Sequence, residues 1–495
     1  MRAIKTPIYQ TPQIREFERL AQTRFDIAPS VLMQRAGHAA FDFFMRRWPQ
    51  AKSIAVFCGS GNNGGDGYVF AQLAQERGLT VKVWQLGQHD KMKDEAKQAQ
   101  QKCLKANVSM SPFTEKLDLQ QTDVVVDAMC GIGLSTDLRE ETRQVIEKIQ
   151  RSQLPVLAMD IPTGIEADTG RVLGGALHAT ATMTFIGFKL GLMTGNGMAY
   201  AGELVLNDLQ LPVDVFAGAE PVAEKIHLNA YAPYLKPRLR DWHKGLSGHV
   251  LVVGGHVGFS GAVNMAAQAA FRVGAGRVSV ATRPEHAAVL TAACPEIMCH
   301  GVESARALQP LIEKADVIVV GPGMGLTAWS RALWQAVMAV DKPLVVDADG
   351  LNMLAKTKLA KENWVLTPHP GEAARLLKKT TTEVQADRLA AVQALQKHYG
   401  GVCVLKGAGS LIAAPNALPA LCDKGNPGMA TAGMGDILSG VIGGLIAQTI
   451  PLGDAACMGV YLHGMAGDMA AKEGERGIMA TDLLPYLHRL VNVAP

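Results

Sequence analysis

The run NPGMATAGMGDILSGVIGG, residues 426–444, joins a glycine-rich approach to an apolar helix, and one carboxylate, Asp436, falls in that helix's first turn. Backbone N–H groups and the dipole at such a helix start attract an anion. A carboxylate beside bound phosphate is unfavourable unless it takes part in the chemistry. The task that fits is to accept the proton of a hydroxyl as that hydroxyl attacks a phosphoryl group. GMGD therefore reads as an anion hole with a base beside it; the alternative is an Asp that only satisfies the helix dipole. Lys406, in the strand-to-loop turn VCVLKGAGSLI, adds an ammonium suited to nucleotide phosphates. The loops VGGHVGFSGA and VGPGMG end two other strands and allow close approach of a ligand. His369 stands between two prolines in TPHPGE. It is either structural or a member of the same site.

A second constellation lies near the N-terminus. In FCGSGNNGGDGYVF, residues 57–70, Gly59, Gly61 and Gly64 satisfy GxGxxG between a strand and a helix. Alone this is a weak dinucleotide signal. The following strand, TVKVWQLGQ, lacks the acid that would hold a ribose, and Asn62, Asn63 and Asp66 exceed what a pyrophosphate turn requires. Asp127 in VVVDAMCGIGL and Asp160 in LAMDIPTG end two further strands, with Thr163 three residues beyond Asp160. In a parallel sheet these ends share one edge, where ligands bind. Three oxygen-rich loops on one edge form a site: N–H groups for an anion, and Asn63 with its neighbours for a cation or a hydroxyl. Asp160 is the candidate acid/base; otherwise it caps the turn that follows it.

Both constellations need strands alternating with helices. SIAVFC, TVKVWQL, DVVVDAM, PVLAMDI, TMTFIGF and ELVLNDL read as strands, with KDEAKQAQQKCLKA and LREETRQVIEKIQ as amphipathic helices between them. Ser30 is expected to cap a helix from Val31, with Pro29 just outside it. GYVFAQLAQER reads as the helix after the first glycine loop. The pattern dissolves after Asp208 and restarts at GHVLVVGG, followed by GRVSVAT, ADVIVVGPG, KPLVVDADG, NWVLTP and VCVLKGAGS. The expectation is an α/β protein of two domains, residues 1–225 with a linker from about 210, and residues 226–495.

The bulk numbers agree. The chain has 495 residues, 48% hydrophobic and 19% charged, with a net charge of +3 and no basic stripe, so nucleic acid is not an expected partner. No apolar run is long enough to span a bilayer, and MRAIKTPIYQ lacks the apolar stretch of a signal peptide. Eight scattered cysteines without a CxxC indicate reduced thiols and a cytoplasmic setting. A homo-oligomer is expected, although the small-residue helices near 437–470 could equally pack within the core.

GSGNNGGDGYV, VDAMCGIGL and DIPTG together resemble the NAD(P)H-hydrate epimerase family across nearly all of residues 1–215. The resemblance implies a Rossmann-like three-layer sandwich. It implies that Asn63, Asp127 and Thr163 bind K⁺. It also implies that Asn62, Asn63, Gly64, Gly65 and Asp66, the loop Gly131, Ile132, Gly133, Leu134, Ser135, Thr136 and Asp137, and Asp160 hold the hydrated nucleotide. Ile132 stands where the family often has Thr, and Gln34 where it often has an acid. The second half, with HKGLSGHVLVVGG, GFSGA, GPGMG, TPHPGE, LKGAGS and NPGMATAGMGD in that order, is similar to the ribokinase-like ADP- or ATP-dependent NAD(P)H-hydrate dehydratases over about 235–490. That similarity implies that Ala262, Gly325, His369 and Asp436 contact the hydrated dinucleotide. Lys406, Gly407, Ala408, Gly409, Ser410 and Gly435 would contact the adenine nucleotide.

Fused, the two halves resemble bacterial bifunctional enzymes that use ADP. The implied chemistry interconverts the two epimers of NADH or NADPH hydrate in the first domain. In the second, Asp436 deprotonates the ring hydroxyl, ADP with Mg²⁺ phosphorylates it, and phosphate then leaves to restore NAD(P)H. Two rivals remain at this level: a vitamin-type kinase in the second half, and a non-catalytic ligand sensor in the first.

Overall fold

The computed structural model describes residues 6–88, 92–114 and 117–492. It divides into one compact unit of residues 7–223 and another of residues 224–492 that includes Thr6, whose Oγ1 lies 2.8 Å from His227 Nε2. Part of MRAIKTPIYQ, on which the signal-peptide reading rests, lies outside the described residues.

In the N-terminal unit seven parallel strands run in the spatial order Ser109–Pro112, Thr80–Gln85, Ser53–Cys58, Val124–Ala128, Val156–Met159, Ala181–Phe185 and Glu203–Asn207. The central strands are apolar because helices cover both faces; Val124–Ala128 is buried at all five positions. The chain order reverses between Ser53–Cys58 and Val124–Ala128. At such a switch point adjacent loops leave in opposite directions and a crevice opens. The edge strand Ser109–Pro112 escapes the sequence reading, since SMSP offers neither alternation nor β-branched residues, and its proline suits an edge.

Two helical expectations need correction. Pro29 is inside the second helix, Pro29–Arg47, with Ala28 as its N-cap, so Ser30 does not cap it. Proline has no N–H to leave unpaired at the first helical position, and its φ is already helical. The helix after the glycine loop is Asn62–Glu76, so it begins five residues before the expected Gly67. A further helix, Thr11–Phe25, buries Ile14, Phe17, Leu20 and Ala21 on one face, a helical spacing present in the sequence but not used above.

The second unit is also a mostly parallel sheet. Its order is Met298–Gly301, Arg277–Thr282, His249–Val253, Val317–Val320, Leu344–Val346, Trp364–Leu366 and Val402–Leu405, followed by antiparallel Ser410–Ala413 and Ala420–Cys422. The small-residue helix Met434–Ala447 lies inside this unit, buried from Ile437 to Ala447. A Cβ on Gly440 would sit 2.0 Å from the Ala266 carbonyl oxygen, so glycine lets it press directly on the helix Ser260–Arg272. Those small residues serve internal packing. Among the described residues no helix is long and apolar enough to cross a membrane.

Candidate active sites

The first site is built on the switch point. A Cβ at Gly59 would stand 2.0 Å from the Met129 carbonyl oxygen, so only glycine lets the two strand exits touch. Asn62–Asp66 then form the first turn of a 15-residue helix whose N-terminus faces the crevice. A cleft of about 800 Å³ opens there, lined by Asn62, Asn63, Asp66, Gly131–Leu134, Thr136, Asp137 and Asp160. Gly64, Gly65 and Ser135 do not line it, nor do Asp127 and Thr163, which lie beneath its floor. Leu32, Met33 and Ala36 of the helix Pro29–Arg47 reach this cleft, whereas Gln34 lines a separate recess of about 600 Å³. Gln85 stands near the strand end where a ribose-binding acid was sought, and its amide donates to the Tyr68 hydroxyl at 3.0 Å.

Asp127, Thr163, Cys130 and Asn63 form one network. Thr163 donates its N–H to Asp127 Oδ2 at 2.8 Å and its hydroxyl to Oδ1 at 2.7 Å. The Cys130 N–H donates to Thr163 Oγ1 at 3.1 Å, and Asn63 Nδ2 to the Cys130 carbonyl at 3.0 Å. Burial pushes the Asp127 carboxyl up to about 6, against the opposing bonds from Thr163 and Met129. Among the described residues Asn63 Oδ1 is buried with no hydrogen-bond partner. A buried acceptor left unpaired is costly, and an amide oxygen linked through this network to a carboxylate offers oxygen donors of the kind a hard monovalent cation takes.

Asp160 follows the strand Val156–Met159 in the left-handed region, φ 65°. Its carboxylate Oδ1 accepts from Lys189 Nζ at 2.5 Å. Its Oδ2 faces the 131–137 loop: a Cβ on Gly131 would lie 3.4 Å from it and 3.2 Å from Asn63 Cβ. Asp66 stands nearby, its carboxyl held well above the ordinary range by burial and by the charges of Asp160 and Glu18.

In the second unit the loops gather at the carboxyl ends of the strands. Ala262 lies in the first turn of Ser260–Arg272, 3.0 Å from a Cβ placed on Gly323. Gly325 has φ 70° and donates its N–H to Asp349 Oδ2 at 2.7 Å. His369 caps the helix Pro370–Leu377: its Nδ1 accepts the Gly371 N–H at 3.0 Å, and its Nε2 lies 3.4 Å from Glu372 Oε1. Burial and Lys406 lower its pKa, in keeping with an Nδ1 that accepts a hydrogen bond. The geometry thus accounts for His369 as a cap, with a half-exposed ring on the site's edge.

Lys406 does not project freely into a phosphate site. Its ammonium, on a half-buried side chain, lies 2.8 Å from Asp347 Oδ1 and 3.8 Å from Glu372 Oε2. Burial lowers its pKa, but the two carboxylates outweigh that and leave it raised. Ser439 donates to Asp347 Oδ2 at 2.6 Å. A Cβ on Gly435 would lie 3.2 Å from Lys406 Nζ, which places this ion pair directly under the start of Met434–Ala447. Asp436 is in that first turn, and burial together with Asp347 pushes its carboxyl up to about 7. The turn after Lys406 has φ 135° at Gly407 and 62° at Gly409. The buried Arg388 guanidinium braces it, donating to the carbonyls of Leu405, Lys406 and Gly409 at 3.3–3.4 Å.

Lys189, Glu18, Asp347, Glu372 and Ser439 were not singled out from sequence. Asp347 stands at a strand end in VVDADG and Glu372 lies inside the quoted TPHPGE, so position was available as a signal for both. Lys189 lies beyond TMTFIGF, and only the turn of the chain brings it back to Asp160.

The family described as NAD(P)H-hydrate dehydratase matches residues 250–489, and the YjeF-related protein N-terminus matches 29–191. A bifunctional NAD(P)H-hydrate repair enzyme of Coxiella burnetii is 49% identical over 98% of this chain and 100% of its own length. Its namesake in Escherichia coli is 41% identical over 99% and 95%. Among solved structures, an ADP/ATP-dependent NAD(P)H-hydrate dehydratase from Bacillus subtilis, co-crystallized with ATP/Mg²⁺, is 27% identical, with a TM-score of 0.50 over 55% of this chain and 98% of that one. A ribokinase-like superfamily protein from Enterococcus faecalis is 32% identical, also with a TM-score of 0.50, over 53% and 95%. By full-length identity and by the order of its two matched halves, the chain belongs to the bifunctional NAD(P)H-hydrate repair enzymes.

Proposed function

We propose that the N-terminal unit epimerises hydrated NADH and NADPH and that the C-terminal unit dehydrates the S form back to NAD(P)H, using ADP and releasing AMP and phosphate. One observation carries the reading: each unit presents a candidate acid/base carboxylate, Asp160 or Asp436, at the carboxyl edge of a parallel sheet, beside a helix start or glycine loop that suits the nucleotide's phosphates.

Epimerisation needs a proton carrier and no net redox change. Asp160 takes the proton of the ring hydroxyl while the carbon–nitrogen bond opens, its electrons going to nitrogen and the carbon becoming an aldehyde. Asp160 then protonates that nitrogen. Closure from the opposite face reverses these steps and gives the other epimer. Asn62–Asp66 and the 131–137 loop hold the nucleotide. Asn63, Asp127 and Thr163 would hold K⁺, which the partnerless Asn63 Oδ1 fits. Bound there, K⁺ offsets negative charge at the crevice.

Dehydration proceeds through phosphorylation. Asp436 takes the hydroxyl proton as the oxygen attacks the terminal phosphorus of ADP and AMP departs. Phosphate then leaves with the carbon–oxygen electrons, the ring nitrogen's lone pair forms a C=N bond, and loss of a proton from the adjacent carbon restores the ring. A base titrating near neutrality suits the first step. Ala262, Gly325 and His369 line the dinucleotide's side. Lys406 to Ser410 and Gly435 would face the adenine nucleotide through backbone N–H groups. Among the described residues no three His, Cys, Asp or Glu side chains are placed to hold a metal, so Mg²⁺ belongs to this reading as the nucleotide's companion. The reading includes a cytoplasmic setting and self-association.

The test is a mixture of both NADH-hydrate epimers with ADP, Mg²⁺ and K⁺, following NADH absorbance and AMP. Wild type should convert all of it, Asp436→Ala none, and Asp160→Ala half quickly and half slowly. No NADH with either ADP or ATP would overturn the reading.

A further inference from the structure

Lys189 ends the short strand Phe188–Lys189, and its side chain is 1% exposed on the wall of the N-terminal cleft. Its ammonium donates to Asp160 Oδ1 at 2.5 Å, Thr184 Oγ1 at 2.9 Å and the Phe185 carbonyl at 2.7 Å. An ammonium has three N–H groups, so all its donors are engaged and none is left for a substrate. Asp160 is fixed as firmly. Its N–H donates to the Met183 carbonyl at 2.7 Å. Among the described residues every hydrogen bond to its carboxylate ends on Oδ1, with longer ones from Thr184 Oγ1 and the Phe185 N–H, both at 3.4 Å. Oδ2 is turned toward Gly131.

A carboxylate has two equivalent oxygens, and rotation about its last bond exchanges them. Here one oxygen is bound to the protein by a cation and the other faces the loop that borders the cleft. Asp66 and Glu18 line the same cleft, so Lys189 is a buried cation set among three carboxyl groups and joined to one of them.

We propose that Lys189 is a positioning residue for epimerisation: by holding Oδ1 of Asp160 it leaves Oδ2 as the atom that carries the substrate's proton. The inference rests on the reading of Asp160 as the acid/base. Lys189 touches no reacting atom and acts through Asp160 alone.

The test uses the full chain and separated epimers of NADH hydrate, with interconversion followed by chromatography in the absence of ADP. Lys189→Ala should lower kcat about 100-fold while KM stays within roughly threefold, the pattern of lost orientation rather than lost binding. Added propylamine, a cation at neutral pH, should restore the rate roughly tenfold, and 1-propanol should not. Recovery by the amine also shows that the variant is folded. Lys189→Met fills the same space without charge, and should lose as much rate with a wild-type near-ultraviolet circular dichroism spectrum. Equal recovery by propanol, no recovery by the amine, or a Lys189→Met enzyme as fast as wild type would each overturn the inference. Asp160→Asn separates the two claims: an active Asp160→Asn enzyme sinks the acid/base reading, whereas an inactive one beside an active Lys189→Met sinks only the role of Lys189.

Discussion

The two halves place a lysine beside their candidate acid/base in different ways. In the N-terminal unit the ammonium of Lys189 is bonded to Asp160 itself. In the C-terminal unit Lys406 is bonded to Asp347, which also accepts from Ser439, and Asp436 stands above that pair with no ion pair of its own among the described residues. The consequence is visible at Asp436. Burial and the Asp347 charge push it up to about 7, with Lys406 only partly opposing them. A carboxyl poised at neutrality readily gives and takes a proton. The contrast teaches that a lysine near a carboxylate is not a role in itself. Which carboxylate it bonds decides whether it fixes the reacting group or stabilises the frame beneath it.

This contrast can be broken first at Asp436. Asp436→Ala should lower dehydration by about 10³-fold, within the range for loss of a general base, while epimerisation by the same chain stays at its wild-type rate; coupled NADH recovery and epimer chromatography read the two separately. The next effect is on stability. Lys406→Met leaves Asp347 buried without a cation and should destabilise the C-terminal unit by about 3–5 kcal/mol, measured by urea unfolding. Lys189→Met should cost less. The Asp160 side chain is 13% exposed to the cleft, against 2% for Asp347, so water can reach it. Equal losses would remove the distinction between fixing a reactive group and bracing a frame.

A smaller effect, about tenfold, is expected for Asn63→Ala on epimerisation, together with loss of any stimulation by K⁺ over Na⁺. If Asn63→Ala keeps the wild-type response to K⁺, the buried Oδ1 is not a ligand. Two further effects concern pH. Dehydration at limiting substrate should fall about tenfold per pH unit below about 7, as Asp436 takes up its proton. The same shift has a stability consequence whose sign can be worked out. The folded pKa of about 7 lies above the unfolded value near 3.8, so the group favours folding least when ionised. Asp436→Asn should therefore gain stability over wild type at pH 8, up to roughly 4 kcal/mol, and the gain should shrink as the pH falls from 7 toward 4. A gain independent of pH would place its origin elsewhere.

Much of this molecule is legible along the chain. The strand-then-glycine units repeat so regularly that six strands of the first sheet and the glycine loops of both sites can be read directly, because parallel strands buried on both faces must be continuously apolar and their exits must turn tightly. Asp127, Asp160 and Asp436 announce themselves as acids at strand ends or at a glycine-rich helix start. Ser109–Pro112 is not legible, since an edge strand buries little and carries little pattern. The helix start at Asn62 is obscured because two asparagines and two glycines read as a loop until the crevice supplies partners for the first turn.

By itself the sequence determined the two α/β halves, the order of their motifs and the acids at the sheet edges, because local periodicity and turn chemistry act over a few residues. Only the tertiary structure decided the partners of those acids. Lys189 lies 29 residues from Asp160, and Lys406 lies 59 from Asp347. Whether a buried carboxylate receives a cation depends on where sheet pairing places each strand end in space, and no spacing along the chain encodes that.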